Sequence, residues 1–532
     1  MRCDTRTCGG RMAVWLVGAG ACLSMGCGWM GGSSPANGMT ATSDQPATTQ
    51  SPSQPLPPAE PLLEGWENPA VVLLLSGEQH GYLEPCGCSL TQSGGLARRA
   101  TLEAMLRERS WPVVGFDAGG LLKDSRTQDQ LKFEAILDGL KQLKYAAIAA
   151  GVSELRLGPD YLLGQFLDAD GIPLAGMLVS ANVVFHDDPT LGVPKPFRMV
   201  TAGDVTIGVT AVLGADAAAE VAPQGVKTNI AIKPATEALQ EVLSPLTQAK
   251  PDLLVLLVHG TPAEARTLAQ QFPQFQIVLN TGGAEEASHK PTKIGDSLVL
   301  EVGHKGKHIG VLGYFPQSEP KFRWELVDLD NRRFKSDPRM VKVMRDYQQR
   351  IRDLNLAESD DRKIRHPSGL SFVGAEKCGE CHKQSYDFWK TTGHAHAYDS
   401  LERGRAGEEA HWVSRIYDPE CLSCHVTGWE PQQYQRFDSG FLNAQATPHL
   451  LGNQCENCHG PGSRHTELEL ALKESKAQPN QVTLDARNEV KRSIATAERE
   501  ICLQCHDAEN SPAFLEQGFQ YYWEQIEHPW KD

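Results

Sequence analysis

Cysteine and histidine recur in this chain in one fixed arrangement. Cys-x-x-Cys-His occurs four times: CGECH from Cys378, CLSCH from Cys421, CENCH from Cys455 and CLQCH from Cys502. Thiols at this spacing serve two chemistries. Two such pairs make the four-sulfur cage of a structural zinc. With a histidine directly after the second cysteine, the thiols add to the vinyl groups of a c-type haem and the imidazole binds its iron. The fixed histidine favours haem, because a zinc ribbon has no need of it. The chain has 14 Cys and 17 His in 532 residues, and shuffling it would give roughly 0.01 copies. The expectation is four covalent c-type haems. Their attachment points are Cys378, Cys381, Cys421, Cys424, Cys455, Cys458, Cys502 and Cys505, and their proximal iron ligands are His382, His425, His459 and His506. Two zinc clusters or two disulfide pairs are the alternatives.

A second imidazole on each iron would make these haems electron carriers and not substrate sites. His394, His396, His465 and His528 are the first candidates for that position, followed by His449 and His411. His465 follows the third motif across a Gly-Pro-Gly turn, which aims it at a different haem from the one His459 holds. His366 lies in a linker and is not expected to bind iron. Four haems on residues 371–532 leave little chain for an ordinary core, so the haems themselves are expected to form it.

The rest of the chain must position these groups. Its net charge is −15, which argues against a nucleic-acid partner, since phosphate binding needs clustered Lys and Arg. Residues 1–27 read as an export signal, with Arg2, Arg6 and Arg11 ahead of an apolar stretch from Ala13 to Leu23. LSMGC then resembles a bacterial lipoprotein processing site with Cys27 as the lipidated residue; simple cleavage near Gly26 is the alternative. The expected location is the periplasm or outer surface. Residues 28–66, rich in Ser, Thr, Pro and Gln, read as a flexible tether. Only Cys86 and Cys88 remain outside the signal and haem sets.

Residues 67–333 alternate apolar runs with amphipathic stretches. Ala70–Leu75, Pro112–Phe116 and Asp252–His259 read as buried strands, and Leu96–Arg109 and Ala235–Gln248 as helices. The segment GDSLVLEVGHKGKHIGVLGYF reads as two strands joined by a Gly-containing turn. The alternation predicts an α/β layered domain with functional loops at strand C-termini. SGEQHGYLEPCGCSLTQSGGLARRA resembles the opening block of the calcineurin-like metallophosphoesterases, in their 5′-nucleotidase branch. The resemblance implies two metal ions held by carboxylates, an Asn and histidines. His80, Asp117 and His259 match family positions, and Glu78 stands where the first Asp belongs. Gly120 replaces the second acid, Val152 the ligating Asn and Ser153 the catalytic His. LNTGG from Leu279 replaces the closing histidine pair. A dinuclear hydrolase needs both metals, so the expectation is a retained fold without the hydrolase, with at most one further metal ion on Glu78, His80, Asp117 and His259. Cys86 and Cys88 sit at the mouth of that site as a candidate redox pair or, with His80, a soft-metal site; a structural disulfide or buried thiols is the plainer reading.

Residues 334–370 read as a helical linker whose charged helix is a solvated face. Beyond it, the blocks FVGAEKCGECHKQSYDFWKTTGHAHA, DPECLSCHVTGW, GNQCENCHGPGSRH and ICLQCHDAENSP resemble the tetrahaem cytochrome c-554 family. That resemblance implies a mainly helical, haem-packed domain over 371–532 in which most haems carry two histidines and one lacks a sixth ligand. The reading is an exported multihaem electron carrier with redox proteins as partners. The rivals are a redox enzyme acting on a small nitrogen or sulfur compound, at a five-coordinate haem or at Cys86 and Cys88, and, last, a nucleotide hydrolase.

Overall fold

A computed structural model of the chain describes residues 61–85, 92–167, 174, 176–223, 226, 228–359, 362–404 and 412–528. The signal, Cys27, Cys86, Cys88 and His411 lie outside the described residues.

In chain order the strands are β1 (Val71–Ser76), β2 (Val113–Asp117), β3 (Tyr145–Ala149), β4 (Leu178–Val179), β5 (Val183–Phe185), β6 (Arg198–Ala202), β7 (Val205–Leu213), β8 (Ile230–Ile232), β9 (Leu253–His259), β10 (Ile277–Asn280), β11 (Thr292–Ile294), β12 (Ser297–Glu301), β13 (His308–Tyr314) and β14 (Phe322–Asp328). Twelve of them make two six-stranded sheets, ordered β14-β13-β1-β2-β3-β4 and β11-β12-β10-β9-β7-β6, and β5 and β8 pair antiparallel apart from these. Each large sheet has a run of parallel strands, β1 to β4 in one and β7, β9, β10 and β12 in the other; antiparallel strands flank the first at one edge and the second at both.

The apolar runs explain the layering. Alternate residues of a strand face opposite sides. Val71, Leu73 and Leu75 of β1 pack against Val209, Val255 and Leu257 of the other sheet. Val72 and Leu74 turn outward to Leu96, Leu102, Phe133 and Ile136 on two helices. Leu254, Leu256 and Val258 of β9 meet Leu239, Val242 and Leu268 on the far side. Strands buried on both faces must read as continuous apolar runs. The result is helix, sheet, sheet, helix. The first helix spans Leu96–Glu108 and the later one Ala235–Gln248, at or within one residue of the expected ends.

Two details differ from the sequence reading. The GDSLVLEV…HIGVLGYF strands, β12 and β13, do not pair with each other; β12 joins β10 and β11, whereas β13 joins β1 and β14. The chain between them crosses from one sheet to the other. The charged helix, Pro338–Asp353, is not a solvated linker: Met340, Val343, Met344, Tyr347 and Ile351 bury one face in the core shared with the Leu96–Glu108 and Thr127–Gln142 helices. Its charges occupy the opposite face.

The C-terminal region is built of short helices around the four motifs, with a small sheet of β15 (Lys363–Ile364), β16 (Trp429–Glu430) and β17 (Gln435–Phe437). Its apolar cluster has nine buried members, among them Phe372, Leu422, Trp429 and Phe441.

Candidate functional site

Each Cys-x-x-Cys-His motif occupies about one helical turn. Positions i, i+3 and i+4 share a helix face, so both sulfurs and the imidazole of one motif point the same way. The second and third motifs lie on the helices Pro419–His425 and Cys455–His459. In the first and fourth, the histidine N–H closes the turn onto the first cysteine carbonyl, His382 to Cys378 at 2.9 Å and His506 to Cys502 at 2.8 Å. Motifs far apart in sequence touch: Cys378 hydrogen-bonds Cys455, and Cys424 hydrogen-bonds Cys505.

Three of the motif imidazoles are held at Nδ1. His425 Nδ1 meets the Ala397 carbonyl at 2.7 Å, His459 Nδ1 the Val490 carbonyl at 2.7 Å, and His506 Nδ1 the Ser511 hydroxyl at 3.1 Å. A carbonyl on Nδ1, as for His425 and His459, accepts the Nδ1 proton, fixes the tautomer and presents Nε2 to a metal.

Three motif histidines face a histidine from elsewhere in the chain. Ring centres are 6.3 Å apart for His382 and His465, 6.1 Å for His506 and His394, and 5.8 Å for His459 and His528. Two imidazoles on one metal, with bonds of about 2 Å, stand about 6 Å apart centre to centre. Burial, then the nearby His506 and His425, pulls His394 down to about 4. Burial also lowers His459, His506 and His465. These rings stay neutral at pH 7, the form that binds metal. His465 Nδ1 is buried without a hydrogen-bond partner, as a ligand nitrogen or its neighbour would be before metal binding.

The pairing discriminates between haem and zinc. Among the described residues, no three His, Cys, Asp or Glu side chains converge to hold a bare metal ion. A structural zinc takes four protein donors and a catalytic zinc three, whereas haem iron takes four nitrogens from the porphyrin and one or two ligands from the chain. The donor set therefore fits haem.

The distal candidates His396 and His449, and the linker histidine His366 that was not expected to bind iron, are placed elsewhere. His396 is exposed, its ring bonded to Asp399 at 3.3 Å and to the Lys390 carbonyl at 3.1 Å. His449 packs against Gly374. His366 stacks edge-on with Phe372 and Phe437.

The N-terminal domain gathers its polar residues at the C-terminal ends of β1, β2, β9 and β10. Glu78 and His80 have φ of 48° and 51°, a sparsely populated conformation that clusters at functional sites. Glu78 is the hub: it lies 2.6 Å from His80 Nε2 and 3.6 Å from His259 Nδ1. Burial pushes the Glu78 carboxyl up, but the His80 hydrogen bond and the charges of His259, His80 and His304 take it below its ordinary value. Gly120 makes room, because a Cβ there would meet the Glu78 carboxyl at 2.7 Å. The absence of a side chain at position 120 thus admits the carboxyl from position 78. Asp117 is spent on local bonds, from Ser76 Oγ at 2.5 Å and Gly119 N at 2.9 Å. Burial, partly offset by Ser76 and Arg99, raises its carboxyl to about 6. Glu154 accepts from Gly120 N and Leu121 N at 3.2 and 2.6 Å. His259 Nδ1 faces the Ala118 carbonyl and Thr281 Oγ1, both at 3.2 Å. His304, whose ring lies 5.2 Å from that of His80, was missed in the sequence because GHKGKH reads as a turn.

Comparison with known proteins places these observations in context. Residues 377–460, holding the first three motifs, match the family described as cytochrome c554 and c-prime. A stretch of 98 residues, 17% of this chain, is 35% identical to cytochrome c-554 of Nitrosomonas europaea. The match spans 39% of that relative, and the fourth motif lies beyond the family match. The C-terminal region is thus similar to a c-type cytochrome carrying haem iron. Among solved structures, the chain is similar to a 5′-nucleotidase precursor from Thermus thermophilus, at 22% identity and a TM-score of 0.45 over 53% of this chain and 59% of that one. It is also similar to the calcineurin-like phosphoesterase YfkN of Bacillus subtilis, at 16% identity and a TM-score of 0.41 over 53% of this chain and 97% of that one.

Proposed function

We propose that this chain is an exported multihaem electron-transfer protein with four covalent c-type haems, whose N-terminal domain does not hydrolyse phosphoesters. The observation that carries the reading is the set of three imidazole pairs at 5.8 to 6.3 Å. Haem supplies one-electron chemistry when bound. The chain's own part is to hold each ring by two thioethers and to fix the proximal imidazole through Nδ1. Where a second imidazole is set opposite, it fills the iron's last position and excludes substrate. Its partners are other redox proteins, and a lipid at Cys27 would keep it at a membrane surface. Among the described residues, no helix is long and apolar enough to cross a membrane.

The loss of hydrolase activity rests on donors that face one another: Asp117 and Glu154 are satisfied by the backbone and Ser76, and His259 by Ala118 and Thr281. A second reading, a redox role for Cys86 and Cys88, has one observation in its favour. Tyr82 and Glu84, just before them, contact Glu509 and Arg415 of the cytochrome region.

The test is to produce the protein with c-type maturation and count haems by pyridine haemochrome and intact mass. Four haems are expected, with no turnover of nucleotides or phosphodiesters on adding divalent metal. Bound zinc without haem would overturn the cytochrome reading. Metal-dependent turnover lost in His259→Ala would overturn the reading of the N-terminal domain.

A further inference from the structure

The second haem motif is seated in the N-terminal domain by buried charge. Asp418 caps its helix, accepting from Glu420 N at 3.0 Å. It also accepts amides from two N-terminal helices, Gln128 Nε2 at 2.7 Å and Gln348 Nε2 at 2.8 Å. Asp418 is 4% exposed, and Gln128, Gln348 and Tyr347 around it are equally buried. Glu420, adjacent to Cys421, lies 2.5 Å from Lys132 Nζ and 3.4 Å from Arg126 Nη2. The Lys132 side chain is only 13% exposed. Burial alone would lower its ammonium, but Glu420 and Asp418 hold it above its ordinary range. A permanent cation is therefore fixed in a poorly hydrated seam, beside the residue that precedes a haem-attaching cysteine.

Reducing a haem adds one negative charge. A nearby fixed cation favours the reduced state and a fixed anion the oxidised one, and the effect grows as water is excluded. Lys132 comes from the other domain, on the Thr127–Gln142 helix. We propose that Lys132 and Glu420 are a tuning pair through which the N-terminal domain sets the reduction potential of the haem on Cys421 and Cys424. The pair gives the fold of the first domain a role in electron transfer that needs no substrate of its own.

The inference rests on the proposed haem content, so haem is counted first in each variant. The experiment is an optical potentiometric titration of the holoprotein. Lys132→Met is expected to shift one of the midpoints to lower potential and leave the others in place. Glu420→Gln is expected to shift the same one upward, and the double variant to return it close to the wild-type value. Lys132→Arg, which keeps the charge, is expected to match wild type. The idea is overturned if haem-replete Lys132→Met and Glu420→Gln both titrate like wild type. It is equally overturned if every midpoint moves together and Lys132→Arg moves them too, because that pattern reports undocking of the domains and not local charge. Wild-type protein without haem would overturn the cytochrome reading and the pair with it, whereas haem-replete wild type with unshifted variants would overturn the pair alone.

Discussion

Glu456, between the two cysteines of the third motif, is the residue on which the haem region's geometry most depends. It is 3% exposed. Its Oε1 accepts from Val373 N at 3.0 Å and Gly462 N at 2.7 Å, and its Oε2 from Val373 N at 3.0 Å and Gly374 N at 2.7 Å. Val373 and Gly374 lead into the first motif, and Gly462 caps the Ser463–Ser475 helix that carries His465. One carboxylate thus ties the first motif to the third and to the histidine facing His382. Glu456→Gln keeps the shape and exchanges one oxygen for an NH2. Either amide orientation turns that NH2 against Gly374 N or Gly462 N. An orphaned buried N–H costs about 1–3 kcal/mol, and the surviving bonds weaken from charge-assisted to neutral at roughly 1 kcal/mol more. Burial raises the Glu456 carboxyl despite the N–H groups of Gly462, Gly374 and Val373, so removing the charge returns part of this. The expected net loss is about 2–3 kcal/mol, or one to two decades in the folding equilibrium. Urea unfolding followed at the Soret band reads it. Absorption and EPR should show high-spin character at one haem as His465 loosens. A variant as stable as wild type, with unchanged spin state, would refute the reasoning and show that desolvation of the carboxylate outweighs its four N–H contacts.

Two further outcomes follow from other sites. His528→Ala should convert one low-spin haem, the one held by His459, into a high-spin haem that binds cyanide or carbon monoxide; an unchanged EPR spectrum would remove His528 from the ligand set. Asp117 is raised to about 6 from 3.8, so the folded state binds its proton more tightly than the unfolded one. The contribution of Asp117 to stability is therefore greatest below about pH 4 and falls as pH rises to 6, by about 3 kcal/mol at 1.36 kcal/mol per pKa unit. The stability difference between wild type and Asp117→Asn, from urea midpoints at pH 4, 5, 6 and 7, should change by that amount, and a constant difference would be contrary to it.

The four Cys-x-x-Cys-His motifs were legible because their residues are contiguous and sit on about one helical turn. Which other histidines face them was legible only as a pool. His394 and His396 are two residues apart, and it is the turn after Trp389 that sends one to His506 and leaves the other in solvent. The parallel strands were legible because burial on both faces makes them unbroken apolar runs. The Pro338–Asp353 helix was misread although its spacing carried the signal: Met340, Val343, Met344, Tyr347 and Ile351 follow the helical repeat. Its arginines dominate the composition but lie on the other face. Ion pairs such as Lys132 with Glu420, 288 positions apart, leave no local pattern at all.

In an open α/β sheet the loops after the strands are where ligands bind. Here those loops have a different neighbour. Tyr82, after β1, donates to Glu509 at 3.0 Å; Lys123, after β2, reaches it at 2.7 Å; and Lys305, after β12, at 3.7 Å. Glu509 lies three residues beyond His506 of the fourth motif, and Glu84 pairs with Arg415 ahead of the second. Lys305 N also donates to the Glu78 carbonyl at 2.6 Å, so the edge of the Glu78 pocket and the rim of the fourth motif share a residue. The loops after β1, β2 and β12, at the end of the domain that carries Glu78, Asp117 and His259, are thus occupied by contacts to the region of the second and fourth motifs.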